Sequence, residues 1–280
     1  MSDDTLPALL HHYTDRAGLV GIVESRTLWA TDIRFLNDET EALYARELFG
    51  SLVKRLRSEL GTNWAGNVVC DAVEALATSG DFPDTFVVSM CGDGDNLGQW
   101  RGYGAQGGGY AIGLGRDRLR AIAGAQDHSL IRLIYDVGEQ EAQLEQALRE
   151  SIPILADWGA NPASAPPAAQ QLILLGIGFT IAMLSIKNPY FRDEREWRLA
   201  RLVVPGIFED RAKVRIHHGV ETRYEEIALD EDVFGDSPIV EIVIGPTARS
   251  DEAVAGVRDL LDRNHLEDVT VRTSVGPLRH

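Results

Sequence analysis

The sequence predicts an α+β fold, a single domain over residues 1–280 in which an early and a late block of strands build a sheet and helices gather between them. Three observations carry this. Short β-branched and aromatic segments concentrate before residue 136 and after residue 195. Longer segments with helical apolar spacing, or continuous apolar content, occupy the region between. No internal repeat and no linker divides the chain, and 280 residues with 44% hydrophobic content can bury one large core or two small ones.

Leu9 to Tyr13 reads as a short strand, and "DRAGLVGIVES" as a helix behind an Asp15 N-cap, with Leu19, Ile22 and Val23 on one face. "TLWATD" is a second strand. Asn37 or Asp38 then caps a long helix through Arg57, with Leu43, Leu48, Leu52 and Leu56 inward, and another helix spans Val68 to Ala77. Asp84 to Cys91, "DTFVVSMC", has the content of a buried strand. The glycine-rich stretch from Gly92 to Gly115 is the least regular part of the chain and is not expected to be plain helix. At its end Tyr110 to Leu114 alternates large and small residues as a strand does.

A short helix (Arg116–Ala123), a strand (Leu130–Tyr135) and a long helix from Glu139 follow. A Pro/Ala/Ser loop (Asn161–Ala169) leads to an apolar helix ending at Lys187, so residues 138–187 read as a helical insertion. "EWRLARLVV", "KVRIHH", "YEEIALD" and "IVEIVIG" are four late strands, followed by a helix (Ser250–Asn264) and a closing strand, "DVTVRTS".

The formal charge of −16, from 43 acidic against 27 basic residues, argues against non-specific binding to nucleic acid or anionic lipid. Cys70 and Cys91 are too few and too far apart for a disulfide framework or a zinc site and read as reduced, buried thiols. The acidic start "MSDDTLPALL" lacks the positive region of a secretory signal, so the cytoplasm is the expected compartment. Ala168 to Lys187 approaches the length of a membrane span, but Gln170, Gln171, Thr180 and Ser185 interrupt it; a buried helix and no membrane partner are expected.

Several segments could carry chemistry. In "LHHYT", adjacent strand residues point to opposite faces, which as structure alone leaves one of His11 and His12 solvated and the other hydrogen-bonded in the core. In "KNPYFRDEREWRLARLVV" a strand period places Glu194, Glu196 and Arg198 on one face and Trp197 and Leu199 on the other. Two carboxylates and a guanidinium then share a surface, either as a solvated salt-bridge row or as a charged site. The glycine-rich stretch holds Trp100, Tyr103 and Tyr110 where a backbone can approach a ligand, as a binding loop or as a surface loop with tucked aromatics.

It ends in no G-K-[ST], and no G-x-G-x-x-G follows a strand, so those two kinds of nucleotide-phosphate site are disfavoured. "FLNDETE", Phe35 to Glu41, serves a helix N-terminus as readily as a site, with Arg34 beside it as a candidate phosphate contact. His217 and His218 point apart on a strand and no metal site is expected. Ser89 lacks a G-x-S-x-G elbow, so a hydrolase nucleophile is unsupported.

Taken in order, "LHHYT", "FLNDETE", "VVSMC", "QWRGYG", "GGGYAIGL", "DEREWRL", "IVIGP" and "TSVGPLR" resemble the bacterial domain of unknown function 2971 family, over most of the chain. That pattern in turn is similar to the ADP-ribosyltransferase superfamily of the histidine–tyrosine–glutamate type. The resemblance implies a split β-sheet core, NAD as substrate, and transfer of ADP-ribose to a protein or nucleic-acid acceptor, in a toxin or phage-defence effector with a possible immunity or antitoxin partner.

It matches the NAD-holding histidine to His12, followed by Tyr13 and Thr14, and the nicotinamide-stacking tyrosine to Tyr110 or Tyr103, with Trp100 closing the loop. It matches the catalytic glutamate to Glu196, with Glu194 acting on the acceptor, and extends the NAD-binding set to Ser89 and Arg198. The chemistry has a physical basis, because breaking the nicotinamide–ribose bond develops oxocarbenium character that a fixed carboxylate stabilises. The alternatives are an NAD glycohydrolase, a non-catalytic NAD- or nucleotide-binding protein of the same fold, and a nucleic-acid-directed enzyme that needs a basic groove near His12.

Overall fold

The computed structural model describes residues 6–35, 39–79, 83–103, 109–163, 177–204, 208–217, 219–229, 236–247 and 249–276. Expectations that fall elsewhere lie outside the described residues: the Asn37 or Asp38 cap, the inward side chain of Leu43, that of Tyr103, His218, and much of the Pro/Ala/Ser loop with the start of the apolar helix.

Alternation of apolar with small or polar residues produces the strands β1 (Leu9–Thr14), β2 (Thr27–Asp32), β3 (Asp84–Cys91), β4 (Tyr110–Gly115), β5 (Ser129–Arg132), β6 (Glu196–Val203), β7 (Lys213–His217), β8 (Val220–Ala228), β9 (Ile239–Ile244) and β10 (Thr270–Thr273). They form one sheet in the order β10-β9-β4-β1-β3-β2-β8-β7, with β6 joined to β3 and β5 to β6. The named pairs are antiparallel except β10 with β9. The fold is α+β, as the sequence predicts, and is built around a large, mostly antiparallel sheet.

The sheet opens at its centre. β6 pairs with β3 along the full length from Asp84 to Cys91 and so occupies one of the two edges that a strand has. β1 pairs with β3 at Cys91, and β2 pairs with it at Phe86 and Val87. Both therefore share the remaining edge, and between them β1 and β2 part over Val88 to Met90.

One face of the sheet carries the main core. Leu10, Val88, Met90, Ile112, Leu114, Trp197, Leu199, Ile242 and Ile244 pack there against α1 (Arg16–Ser25), α5 (Arg116–Ala125) and α8 (Ser250–Arg263) through Leu19, Val23, Leu119, Val257 and Leu260. Asp15 caps α1, accepting from the Gly18 amide at 2.8 Å.

The remaining helices form a core of their own. α2 (Glu39–Leu60), α3 (Trp64–Ser79), α6 (Val137–Ala160) and α7 (177–184) join Phe49, Leu52, Leu56, Val69, Leu144, Leu148 and Phe179. The expected insertion at 138–187 thus supplies half of a helical unit whose other half precedes β3. The periodicity of α2 and α3 shows an apolar face but not its partner, which is why the sequence does not reveal this pairing. α7 ends before Lys187, and no described helix is long and apolar enough to cross a membrane. Cys70 and Cys91 are both buried and unbridged, as expected.

Two further expectations change. Part of the glycine-rich stretch is helical: α4 (Leu97–Tyr103) forms because the Asn96 side chain accepts from the Gly98 and Gln99 amides at 2.8 and 3.2 Å. The strand expected over Leu130–Tyr135 shortens to Ser129–Arg132, with Ile134 kept in register by a single parallel bridge to Ile186.

Candidate functional site

Where β1 and β2 part, a cavity of about 370 Å³ opens, within the roughly 300–1,000 Å³ typical of small-molecule sites. His11, His12, Tyr13 and Gln99 border it on one side, Trp29, Thr31, Phe35, Arg215 and His217 on the other, and Ser89, Lys187, Glu194, Glu196 and Arg198 also line it. A larger depression along α6 is lined by Glu145 and Arg149, already engaged in solvated ion pairs, and by their neighbours, and it gathers no comparable chemistry.

Glu196 begins β6 and Arg198 follows two residues later, so both face the cavity beside Ser89, which stands opposite Arg198. Glu196 Oε1 accepts from the Ser89 hydroxyl at 2.8 Å and from Arg198 Nε at 2.7 Å; Oε2 accepts from Lys187 Nζ at 2.6 Å and from the far guanidinium nitrogen at 3.3 Å. Burial pushes this carboxyl up, but the Arg198 and Lys187 cations and their hydrogen bonds outweigh it and hold it below its ordinary value.

Glu194 reaches the cluster by a different route from the expected one. It ends a 3-10 helix (Pro189–Glu194), and Arg195, at φ 45°, turns the chain before β6 begins, so Glu194 is not on the strand face. Its carbonyl accepts from the Cys91 thiol at 2.9 Å, and its carboxylate meets Lys187 Nζ. Lys187 therefore bridges both glutamates. The lysine is set in place by the helical unit, because buried Gln140 on α6 donates to the Ile134 and Lys187 carbonyls at 2.6 and 2.7 Å while Tyr44 on α2 donates to Gln140. Lys187, Gln140 and Tyr44 escape sequence reasoning because three remote segments supply them; the one signal was Lys187 opening the "KNPYFRDERE" segment.

The two histidines divide in part as the structural expectation has it: His11 is the buried, hydrogen-bonded one, while His12 is half-buried at the cavity instead of solvated. His12 fills the gap between β1 and β3, with Nδ1 3.1 Å from the Ser89 carbonyl. A carbonyl only accepts, so Nδ1 carries the proton and Nε2 keeps its lone pair. Burial pulls the His12 pKa down and the Ser89 bond only partly restores it, which keeps the ring neutral. His11 is buried. Its Nε2 lies 2.6 Å from Glu241, which Arg272 also engages at 2.9 Å. Gly113 and Gly94 leave room for this pair: a Cβ on Gly113 would lie 2.5 Å from Glu241 Cγ, and one on Gly94 2.5 Å from His11 Nε2.

Other expected site residues separate. Ser89 and Arg198 line the cavity. Tyr13 borders it too, but its hydroxyl donates to the Asp93 carbonyl at 2.7 Å and accepts from the Asn96 amide at 2.9 Å. Trp100 packs edge-on against Tyr13, its indole N–H donating to Asp95, away from the cavity lining. Thr14 ends β1 opposite Tyr110. Tyr110 is buried in the main core, under Arg16, on the sheet face away from Glu196. The backbone of Tyr103 ends α4. Arg34 is engaged by Asp32 and Asp84, and it is not among the residues lining the cavity. Burial pushes the Cys91 thiol up to about 12, which disfavours the nucleophilic thiolate. Among the described residues no cluster of metal-ligating side chains occurs.

Residues 99–199, from α4 into β6, match a family model described as "Protein of unknown function (DUF2971)". The matched segment contains Lys187, Glu194, Glu196 and Arg198. No curated protein and no solved structure matches the chain.

Proposed function

We propose that the protein consumes NAD, transferring ADP-ribose to a macromolecular acceptor or, with water as acceptor, hydrolysing NAD. One observation carries this reading: a neutral His12 with a bare Nε2 and an ionised Glu196 border the same cavity, where the sheet parts. In this reading His12 Nε2 accepts a ribose hydroxyl proton as a hydrogen bond. Glu196, held ionised by Arg198 and Lys187, faces the positive charge that develops at the anomeric carbon as nicotinamide leaves with the bonding electron pair. The acceptor oxygen or nitrogen then bonds that carbon and gives up its proton. Glu194, beside Lys187, is the carboxylate available to take it. The cavity fits only if one of the four hydrogen bonds on Glu196 gives way to the ribose, and Lys187 can release Oε2 while keeping Glu194 as its partner.

The test is nicotinamide release from NAD by the wild type, Glu196→Gln and His12→Ala, each with and without cell lysate. Release that collapses in both variants supports the reading, and dependence on lysate separates transfer from hydrolysis. A second reading, an NAD- or nucleotide-binding protein without turnover, is favoured by the saturation of Glu196 by Ser89, Lys187 and Arg198. Tight NAD binding with no nicotinamide release selects it.

A further inference from the structure

The rim of the cavity at β2 and β7 differs chemically from the Glu196 end. Arg215 lies there with its guanidinium carbon 5.0 Å over the Trp29 ring and 5.5 Å over the Tyr224 ring, and the two rings pack at 4.6 Å between centroids. Two aromatic faces restrict the guanidinium plane before any ligand arrives. One terminal nitrogen donates to the Thr31 hydroxyl at 3.0 Å, and Nε is buried with no hydrogen-bond partner.

Among the described residues no carboxylate pairs with Arg215, although the chain carries a formal charge of −16. Neighbouring arginines are all matched: Arg198 with Glu196, Arg34 with Asp32 and Asp84, and Arg223 with Asp84 and Asp210. Burial disfavours the charged form of Arg215, and no acidic neighbour offsets this. The cavity lining as a whole carries three cations, Lys187, Arg198 and Arg215, against the carboxylates of Glu194 and Glu196. The unmatched one is Arg215.

We propose that Arg215, braced by Trp29 and Tyr224 and assisted by the Thr31 hydroxyl, is an anion subsite that takes the pyrophosphate of a nucleotide. A planar guanidinium matches two phosphate oxygens at once. Thr31 accepts from Arg215 and keeps its own proton to donate. The subsite lies across the cavity from Glu196, which suits a ligand with a sugar at one end and phosphate toward the other. The choice of a nucleotide ligand rests on the NAD reading above; the anion subsite itself does not.

Calorimetry with ADP, adenosine and inorganic pyrophosphate on the full chain tests it. Wild type binds ADP more tightly than adenosine, and added salt weakens ADP binding alone. Arg215→Gln, which keeps the stem between the rings, weakens ADP about 10- to 100-fold, the equivalent of losing a charge-assisted pair. Adenosine affinity stays within about twofold. Arg215→Lys falls between, because a point charge cannot make the forked contact. Arg223→Gln, at an arginine outside the cavity lining and already paired with Asp84 and Asp210, leaves ADP affinity unchanged.

Pyrophosphate binding that also depends on Arg215 assigns the contact to phosphate rather than to the nucleoside. Equal affinity of the wild type for ADP and adenosine overturns the proposal, as does unchanged ADP affinity in a folded Arg215→Gln protein. Loss of ADP binding in Arg215→Gln, with no nicotinamide release by the wild type, removes the NAD chemistry and leaves the subsite standing. Nicotinamide release with an unchanged KM in Arg215→Gln removes the subsite and leaves the chemistry.

Discussion

Strand β6 carries a buried ion cluster on each face, and the two are finished differently. On the cavity face, Glu196 receives hydrogen bonds at both oxygens from Ser89, Lys187 and Arg198. On the core face, Arg201 pairs with Glu225, while Glu225 Oε2, His128 Nε2 and Arg201 Nε have no hydrogen-bond partner. His128 Nδ1 is 2.8 Å from the Gln126 carbonyl and therefore donates, so Nε2 presents a lone pair toward Glu225 Oε2, 3.9 Å away. Burial alone does not mark a site, because the more costly arrangement is the sealed one. The cavity cluster is complete without a ligand, and a ligand hydroxyl can replace one donor at little net expense.

The largest expected effect breaks the sealed cluster. Arg201→Leu leaves Glu225 buried without its cation and should cost about 3–5 kcal/mol by urea denaturation. The double variant Arg201→Leu/Glu225→Leu should recover more than half of that loss. No recovery would mean that packing around Arg201, and not charge, sets the effect.

Acid titration separates the clusters next. Burial, with Arg201 and Arg211 nearby, lowers His128 from 6.5 to about 4. The unfolded chain therefore binds a proton in that window and the folded chain does not. Stability is full above about pH 6.5 and falls by roughly 2–3 kcal/mol as pH drops toward 4, and His128→Gln should flatten this slope. The Glu196 carboxyl, held below 4.5, contributes stability above that value and loses it only in stronger acid. An unchanged slope in His128→Gln would assign the acid loss elsewhere.

Two smaller effects belong to the cavity cluster. Glu196→Gln should cost about 1–2 kcal/mol, less than Arg201→Leu, because Lys187 retains Glu194. On the NAD reading it also lowers nicotinamide release about 10²- to 10³-fold. Ser89→Ala removes one hydrogen bond to Glu196 and should cost about 1 kcal/mol. A stability loss in Ser89→Ala matching that of Arg201→Leu would erase the distinction between the faces.

Much of this was legible in the sequence. The strands announced themselves by alternation, and His12, Ser89, Glu196 and Arg198 stood out as polar residues on strands that should be buried. What stayed hidden depends on segments meeting from afar. No spacing or motif pairs Arg201 with Glu225, which meet only because β6 and β8 fold onto one core. Lys187 ends an apolar run, and Arg215 lies within the expected strand "KVRIHH"; only the register of β7 on β8 and of β8 on β2 brings it over Trp29. Tyr110 misled for a different reason. Strand alternation shows that a tyrosine takes one face but not which face is the cavity, and here it faces the core. The 3-10 turn before β6 was invisible because one left-handed residue, Arg195, breaks a period that otherwise ran through Glu194.

The long pairing of β3 with β6 also governs how the chain emerges during synthesis. Ser89 and its partner Glu196 are 107 positions apart, and at about 5–20 residues per second the ribosome takes roughly 5–20 s to deliver the second after the first. Through that interval β3 lacks β6, with α6 and α7 added only as it proceeds, and it presents an apolar, unpaired edge of the kind that recruits other nascent chains. Growth at low temperature or with extra holdase should raise the soluble yield by protecting that waiting strand, whereas the finished fold hides it entirely.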